Sequence, residues 1–231
     1  QLFIDPRKLT PQVRERLPAN VTLREYDAMG AALDELGARG ARAWVETASA
    51  SAWVAHRLRN AGAKLHEARS PVTDMKARKN ETEVAGARRC HVRDGVAMVR
   101  FLAWLEDEWT RRPVTEIDAA TRLEQLRSEG EHFRGLSFET ISAFGSHGAI
   151  IHYRPAEEGD RVVDGSSLFC LDSGAQYLDG TTDITRTICL GTPTREQVDQ
   201  ATRVLKGHAS IARVAFPAGT TGKQLDVLAR A

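Results

Sequence analysis

The apolar run Leu168-Phe169-Cys170-Leu171 leads directly into Asp172 and lies between Gly165 and Gly174. A short apolar run bounded by turn residues reads as a buried strand. A carboxylate at the end of such a strand is costly to desolvate unless something positive meets it. Eleven residues later, Asp183, Thr185 and Thr187 alternate with Ile184, Arg186 and Ile188, the two-residue repeat of a half-buried strand. Folded back across residues 174–180, the second strand brings Asp172 and Asp183 to neighbouring positions on one face. Two like charges held that close repel, and a shared cation relieves the repulsion. The segment therefore predicts a hairpin that carries a carboxylate metal site. Taken alone, the two Asp residues leave a solvated turn as the open alternative, because Asp-Gly-Thr hairpins occur in many β proteins.

With 231 residues there is room for one large domain or two small ones. Candidate strands at 2–4, 21–24, 43–45 and 64–66 alternate with helical patterns at about 7–17, 27–38 and 49–62. That spacing implies βαβ crossovers and a mainly parallel sheet, with Trp44, Trp53, Val54 and Leu58 as its expected core. Ser70-Pro71 marks the expected boundary, since proline disfavours helix in the residue before it. The division is thus 1–70 and 71–231.

Beyond it, Asn80 with Glu83 is close to a capping box and opens a helix to about Trp109. Val84, Ala87, Val92, Val96, Val99 and Leu102 form its expected apolar stripe. Thr115, three residues before Asp118, starts a second helix that ends near Gly130, and Thr194 with Gln197 starts a third. Between them, strand alternation precedes Gly145, a Gly-flanked turn holds His147, and Ile150-Ile151 reads as a short strand delivering His152. A His in that position is by itself an edge-of-sheet residue or a catalyst. His56, His66 and His91 read as isolated structural or surface residues.

Lys and Arg number 32 against 31 Asp and Glu, a net charge of +1, so no field favours nucleic acid or an anionic membrane surface. No run approaches the roughly 18 apolar residues of a bilayer span, and no signal-peptide pattern opens the chain. Cys90, Cys170 and Cys189 lack metal-type spacing and read as reduced thiols of a cytosolic protein, with a Cys170–Cys189 bridge as the alternative. The chain begins as a strand at Gln1 and stops inside a helical pattern at Ala231. It therefore reads as a segment of a longer protein.

Asp172-Ser173-Gly174 together with Asp183-Ile184-Thr185-Arg186-Thr187 resembles the metal-binding hairpin of the aminopeptidase P branch of the creatinase, or pita-bread, metallopeptidases. The sub-motif Tyr177-Leu178-Asp179-Gly180-Thr181-Thr182-Asp183 is more similar to Xaa-Pro aminopeptidases than to methionine aminopeptidases, prolidases or creatinases. The resemblance implies an α+β pita-bread catalytic domain, incomplete at its C-terminal end. A partial α/β domain, like the end of the middle domain of three-domain aminopeptidases P, would precede it.

It also implies two divalent ions, Mn²⁺ by family preference with Zn²⁺ or Co²⁺ as alternatives, held by Asp172 through both oxygens and by a bridging Asp183. His152, in His152-Tyr153-Arg154-Pro155, matches the family's active-site His, whose expected role is to bond the scissile amide or the tetrahedral intermediate. His147 has no such counterpart and reads as a loop residue. The implied substrates are peptides with proline second, whose imide nitrogen cannot donate a hydrogen bond and whose ring fixes φ. A homodimer is implied as well, with Trp104 and Trp109 as a candidate apolar patch. Competing readings are a prolidase-type dipeptidase and an inactive pita-bread binding module; the chain retains Asp172, Asp183 and His152 against the latter. The family's site further requires one His and two Glu, expected on strands after Ala231. Neither His208, on a helix, nor Glu196, in its first turn, replaces them. The chain alone is thus expected to be inactive, to hold metal loosely and to associate.

Overall fold

A computed structural model describes residues 1–230. It divides into two compact units, Gln1–Lys79 and the remainder from Asn80. In the first unit β1 (Leu2–Phe3) runs parallel to β2 (Leu23–Arg24), and β3 (Arg42–Val45) runs parallel to β4 (Lys64–Glu67). Helices α1 (Pro11–Arg16), α2 (Met29–Ala38) and α3 (Ala52–Asn60) alternate with them, and α4 (Pro71–Ala77) follows. Side-chain oxygens of Thr10, Ser51 and Ser70 accept from backbone amides at the starts of α1, α3 and α4, which supplies the partners that a helix start lacks. The expected boundary at Ser70-Pro71 is replaced by one after Lys79. Pro71 occupies the first position of α4 rather than ending the unit, as its fixed φ allows.

The expected tryptophan core of this unit is also corrected. Ala32, Val45, Ala55 and Leu58 are buried, whereas Trp44 is 54% and Trp53 45% exposed. Trp44 alternates with Val45 along β3 and so faces away from the core. Its indole Nε1 donates to the Ala68 carbonyl at 3.0 Å. Trp53 lies under the Arg57 guanidinium, 5.2 Å from the ring centre.

The second unit rests on two long helices, α5 (Glu81–Glu108) and α6 (Glu116–Ser128). Each begins with a reciprocal capping box, Asn80 with Glu83 and Thr115 with Asp118. Ala97, Met98, Phe101 and Leu105 of α5 pack with Ala119, Leu123 and Leu126 of α6. Phe144 of β6 (Ile141–Phe144) and Phe169 and Leu171 of β7 (Leu168–Ser173) complete this core. β6 pairs antiparallel with β7, and β7 with β10 (Ile184–Cys189). A second antiparallel sheet has the order β5 (Phe133–Leu136), β8 (Ala175–Tyr177), β9 (Gly180–Thr181). Helices α7 (Arg195–Arg213) and α8 (Gly222–Arg230) follow and meet at Gly207, where a Cβ would lie 2.5 Å from the Ala229 carbonyl.

The expected stripe on α5 is displaced to another face. Val92, Val96 and Val99 are 71%, 55% and 66% exposed, while Gly86, Cys90, Asp94, Ala97, Met98, Phe101 and Leu105 are buried. The buried face accommodates a carboxylate because Arg127 of α6 reaches Asp94, donating Nε to Oδ1 at 2.8 Å and Nη2 to Oδ2 at 3.1 Å. The strand expected at Ile150-Ile151 is replaced by a 3₁₀ helix at Gly145–Ala149 and a turn, closed by the Tyr153 amide donating to the Ile150 carbonyl at 3.2 Å. All three cysteines are free. Cys170 stands opposite Thr187, and Cys189 opposite Leu168.

Candidate metal centre

One chain segment passes from β7 straight into β8, yet the two strands belong to different sheets. Gly174 is the crossing point. A Cβ there would sit 2.0 Å from the Thr182 carbonyl oxygen and 2.3 Å from Ser137 Oγ. The Thr182 amide donates to the Ala175 carbonyl at 2.9 Å, Thr182 Oγ1 accepts from the Ala175 amide at 3.0 Å, and Ser137 Oγ donates to the Thr182 carbonyl at 3.0 Å. These bonds satisfy the backbone where the ladder changes partners. Gly174→Ala forces them apart, and a loss of about 1–3 kcal/mol in chemical denaturation is expected.

The tip of the hairpin is fixed to α5. Gly180 lies against Cys90 and Ala87, where a Cβ would meet the Cys90 sulfur at 2.4 Å; a Cβ on Gly86 would lie 2.4 Å from the Asp179 carbonyl. Arg93 donates from both terminal nitrogens to the two Asp179 oxygens, each at 3.1 Å. That pair holds the Asp179 carboxyl below the usual range. The Asp-Gly of the family-like string is thus a docking element for the hairpin.

At the other end of the hairpin, Asp172 stands opposite Thr185, whose Oγ1 donates to Asp172 Oδ1 at 2.8 Å. Asp183 immediately precedes β10 and lies two residues from Thr185. The strand repeat places it on the Thr185 face, diagonal to Asp172, a relation that sets Cα atoms roughly 7–8 Å apart. Among the described residues neither carboxylate has an ion-pair partner, and Asp183 receives no side-chain hydrogen bond.

Two acceptor-only carboxylates without a neighbouring cation suit a hard divalent ion. No group of three or more His, Cys, Asp or Glu among the described residues could hold a metal. Affinity rises with ligand number and preformed geometry. The 231-residue chain should accordingly bind Mn²⁺ no tighter than about millimolar in calorimetric titration.

His152 is exposed and adopts φ 57°, the left-handed region. Among the described residues its ring makes no hydrogen bond to Asp172 or Asp183. His147, expected to be a plain loop residue, instead joins a buried polar cluster. Glu116, fully buried at the start of α6, accepts from the Phe144 amide at 2.6 Å, from Tyr153 Oη at 2.8 Å and from His147 Nδ1 at 2.9 Å. The His147 and Tyr153 rings stack with centroids 4.3 Å apart. A first-turn acid such as Glu116 ordinarily reads as a solvated partner of the helix dipole, and only the fold brings its partners from 28–37 residues away.

Burial and the bond to Glu116 push the Tyr153 hydroxyl up to about 12. A value raised above that of free tyrosine means the folded form holds the proton more tightly. This stabilising contribution is complete below pH about 10 and lost as pH climbs toward 12. Tyr153→Phe should flatten that part of an alkaline unfolding curve followed by circular dichroism.

The class that this architecture defines is the pita-bread fold: antiparallel sheets with paired carboxylates, backed by long helices, after an α/β unit. Residues 85–231 match the model of Metallopeptidase family M24, and residues 1–83 match that of the Creatinase/Prolidase N-terminal domain. The chain belongs to metallopeptidase family M24. It is 44% identical over 237 residues to a protein of Aspergillus niger named Probable Xaa-Pro aminopeptidase P, covering 99% of this chain and 39% of that one.

Among solved structures, X-prolyl aminopeptidase from Caenorhabditis elegans, described as a cytosolic enzyme with a di-nuclear active site, superposes with a TM-score of 0.86 at 37% identity. It covers 99% of this chain and 38% of its own. X-Pro aminopeptidase from Thermotoga maritima gives 0.75 at 25% identity, covering 99% and 61%. The chain therefore spans about two fifths of the length of the curated relatives it matches.

Proposed function

We propose that the protein is a Xaa-Pro aminopeptidase, removing the first residue from peptides that have proline second. The observation that carries this reading is the hairpin: Asp172 and Asp183 diagonal on one face, its Gly174 corner and its Asp179-Gly180 tip both fixed by close contacts. The names and extent of the relatives support it.

Asp172 and Asp183 would hold two divalent ions, Mn²⁺ first, which when bound supply an activated water and polarise the peptide carbonyl. Thr185 orients Asp172 by occupying one lone pair of Oδ1, leaving Oδ2 and the second lone pair free. Asp183, with no competing donor, presents both oxygens. His152 would donate from its ring to the scissile amide or to the oxyanion as charge develops there, a bond worth most in the transition state. It stands on an exposed turn where a substrate can reach it.

The complete protein should cleave Xaa-Pro-Yaa peptides faster than Xaa-Pro dipeptides, read by chromatography of the released amino acid. Strict dipeptide cleavage would overturn the choice in favour of a prolidase. Two further parts of the reading are a cytoplasmic location and a homodimer. The location draws on the cytosolic C. elegans neighbour; separately, no helix among the described residues is long and apolar enough to cross a membrane. The dimer rests on family resemblance alone. Trp104 and Trp109 are both partly exposed, Trp104 packing on the core beside Phe101. A monomeric mass by light scattering would remove the dimer.

A further inference from the structure

We propose that Glu116 is a positioning residue for His152: its buried carboxylate ties both ends of the loop Gly145–Tyr153 to the start of α6 and so fixes the backbone from which His152 projects. The inference rests on the role given to His152 above.

Apart from Glu116, the side-chain anchor of the loop is Arg161, which donates from Nη1 to Ser146 Oγ at 2.8 Å and to the Phe144 carbonyl at 3.3 Å, both at its start. The loop's own backbone bonds are short-range, the Ile150 amide to His147 and the Tyr153 amide to Ile150. Ser146, Gly148, Ala149, Ile150, Ile151 and His152 are all exposed. It opens at Gly145 with φ 59° and closes at His152 with φ 57°. A residue with a Cβ stays in that left-handed region only where its surroundings over-determine it.

On the His152 side of the loop those surroundings come from one carboxylate. Glu116 accepts from the Phe144 amide just before the loop, from His147 within it and from Tyr153 Oη, the residue next to His152. The His147–Tyr153 stack joins the two loop contacts to each other. Glu116 is itself immobile, because its amide donates to the Arg161 carbonyl at 2.9 Å and its carbonyl accepts from Ser142 Oγ at 2.7 Å.

A carboxylate is what this geometry requires. It is acceptor-only and can serve three donors at once. An amide in its place would turn a donor toward one of them and leave a buried group unpaired. With its lone pairs taken up by protein donors, Glu116 is not an acid or base of the reaction. It acts through Tyr153 on the placement of His152.

The decisive variant is Tyr153→Phe in the complete, Mn²⁺-loaded protein, with Glu116→Gln beside it. Tyr153→Phe keeps the ring and its stacking and removes only the hydroxyl bond. On an Xaa-Pro-Yaa tripeptide, kcat should fall by about tenfold or more while KM moves less than about twofold, the pattern of a displaced transition-state donor. Amide exchange should speed up across 145–153 and stay unchanged in α5 and β7.

Unchanged kcat and exchange in Tyr153→Phe would overturn the proposal. So would a uniform rise in exchange with kcat lost in proportion to folded protein, since that marks Glu116 as structural only. Should Glu116→Gln fail to fold, Tyr153→Phe still decides. A wild type inactive on Xaa-Pro peptides, with the loop still loosened by Tyr153→Phe, would sink the aminopeptidase reading and keep the anchor. An active wild type whose loop and kcat ignore Tyr153→Phe would do the reverse.

Discussion

Asp183→Asn in the complete protein is expected to lower kcat/KM on an Xaa-Pro-Yaa peptide by about two orders of magnitude or more, and Asp172→Asn to do the same. Metal assistance contributes several kcal/mol of transition-state stabilisation, and each 1.4 kcal/mol is about tenfold in rate. The amide keeps the shape of the carboxylate and removes its charge and one acceptor oxygen, so the loss falls on metal binding. Folding should be spared. Asp183 has no ion pair or side-chain hydrogen bond among the described residues, and its removal relieves repulsion with Asp172. The metal-free variant should therefore melt at or above the wild-type temperature. Metal content and activity near wild type in both variants would discard the site.

The largest stability effect is expected at Asp94. Asp94 and Arg127 are both fully buried, joined by two hydrogen bonds, and Tyr177 Oη donates to Asp94 Oδ1 at 2.9 Å. Burial first, then this bond, pushes the Tyr177 hydroxyl well above its ordinary value. Asp94→Ala strands a guanidinium in the core, whose Nη1 already lacks a partner, and leaves a buried hydroxyl unsatisfied. Removing one member of a buried pair costs about 3–5 kcal/mol, because the other charge stays behind. Replacing both, as Asp94→Leu with Arg127→Met, should recover most of that loss. Urea denaturation reads both results. A loss below about 1 kcal/mol for Asp94→Ala would mean that the pair does not hold α5 to α6.

This same pair explains where the sequence misleads. Local signals were legible: the capping residues Asn80, Thr115 and Thr194 each begin a helix where expected, since a cap involves only residues three apart. The hairpin was legible because strand alternation and its glycines are local too. The buried face of α5 was not, because a ranking by apolarity favours Val92, Val96 and Val99 over a face containing Asp94. Arg127, 33 residues away, reverses that order. Trp44 and Trp53 mislead similarly, their indole edge and ring face being used by a carbonyl and a guanidinium. His147 offered no periodic signal at all. What gives it a place is a glutamate 31 residues upstream, adjacent only after α6 has packed on β6.

The β8–β9 turn has a consequence for how this scaffold can be altered. Hairpin tips are ordinarily where chains accept extra residues. Here the tip is wedged between Gly86 and Cys90 and gripped by Arg93, so lengthening it would lever the strands off the helix. Grafted epitopes, fluorophores or natural length variation belong instead at Ala156–Gly159, four consecutive exposed residues outside any helix or strand. An affinity tag inserted there should leave the melting temperature unchanged, whereas one inserted between Leu178 and Asp179 should abolish soluble expression.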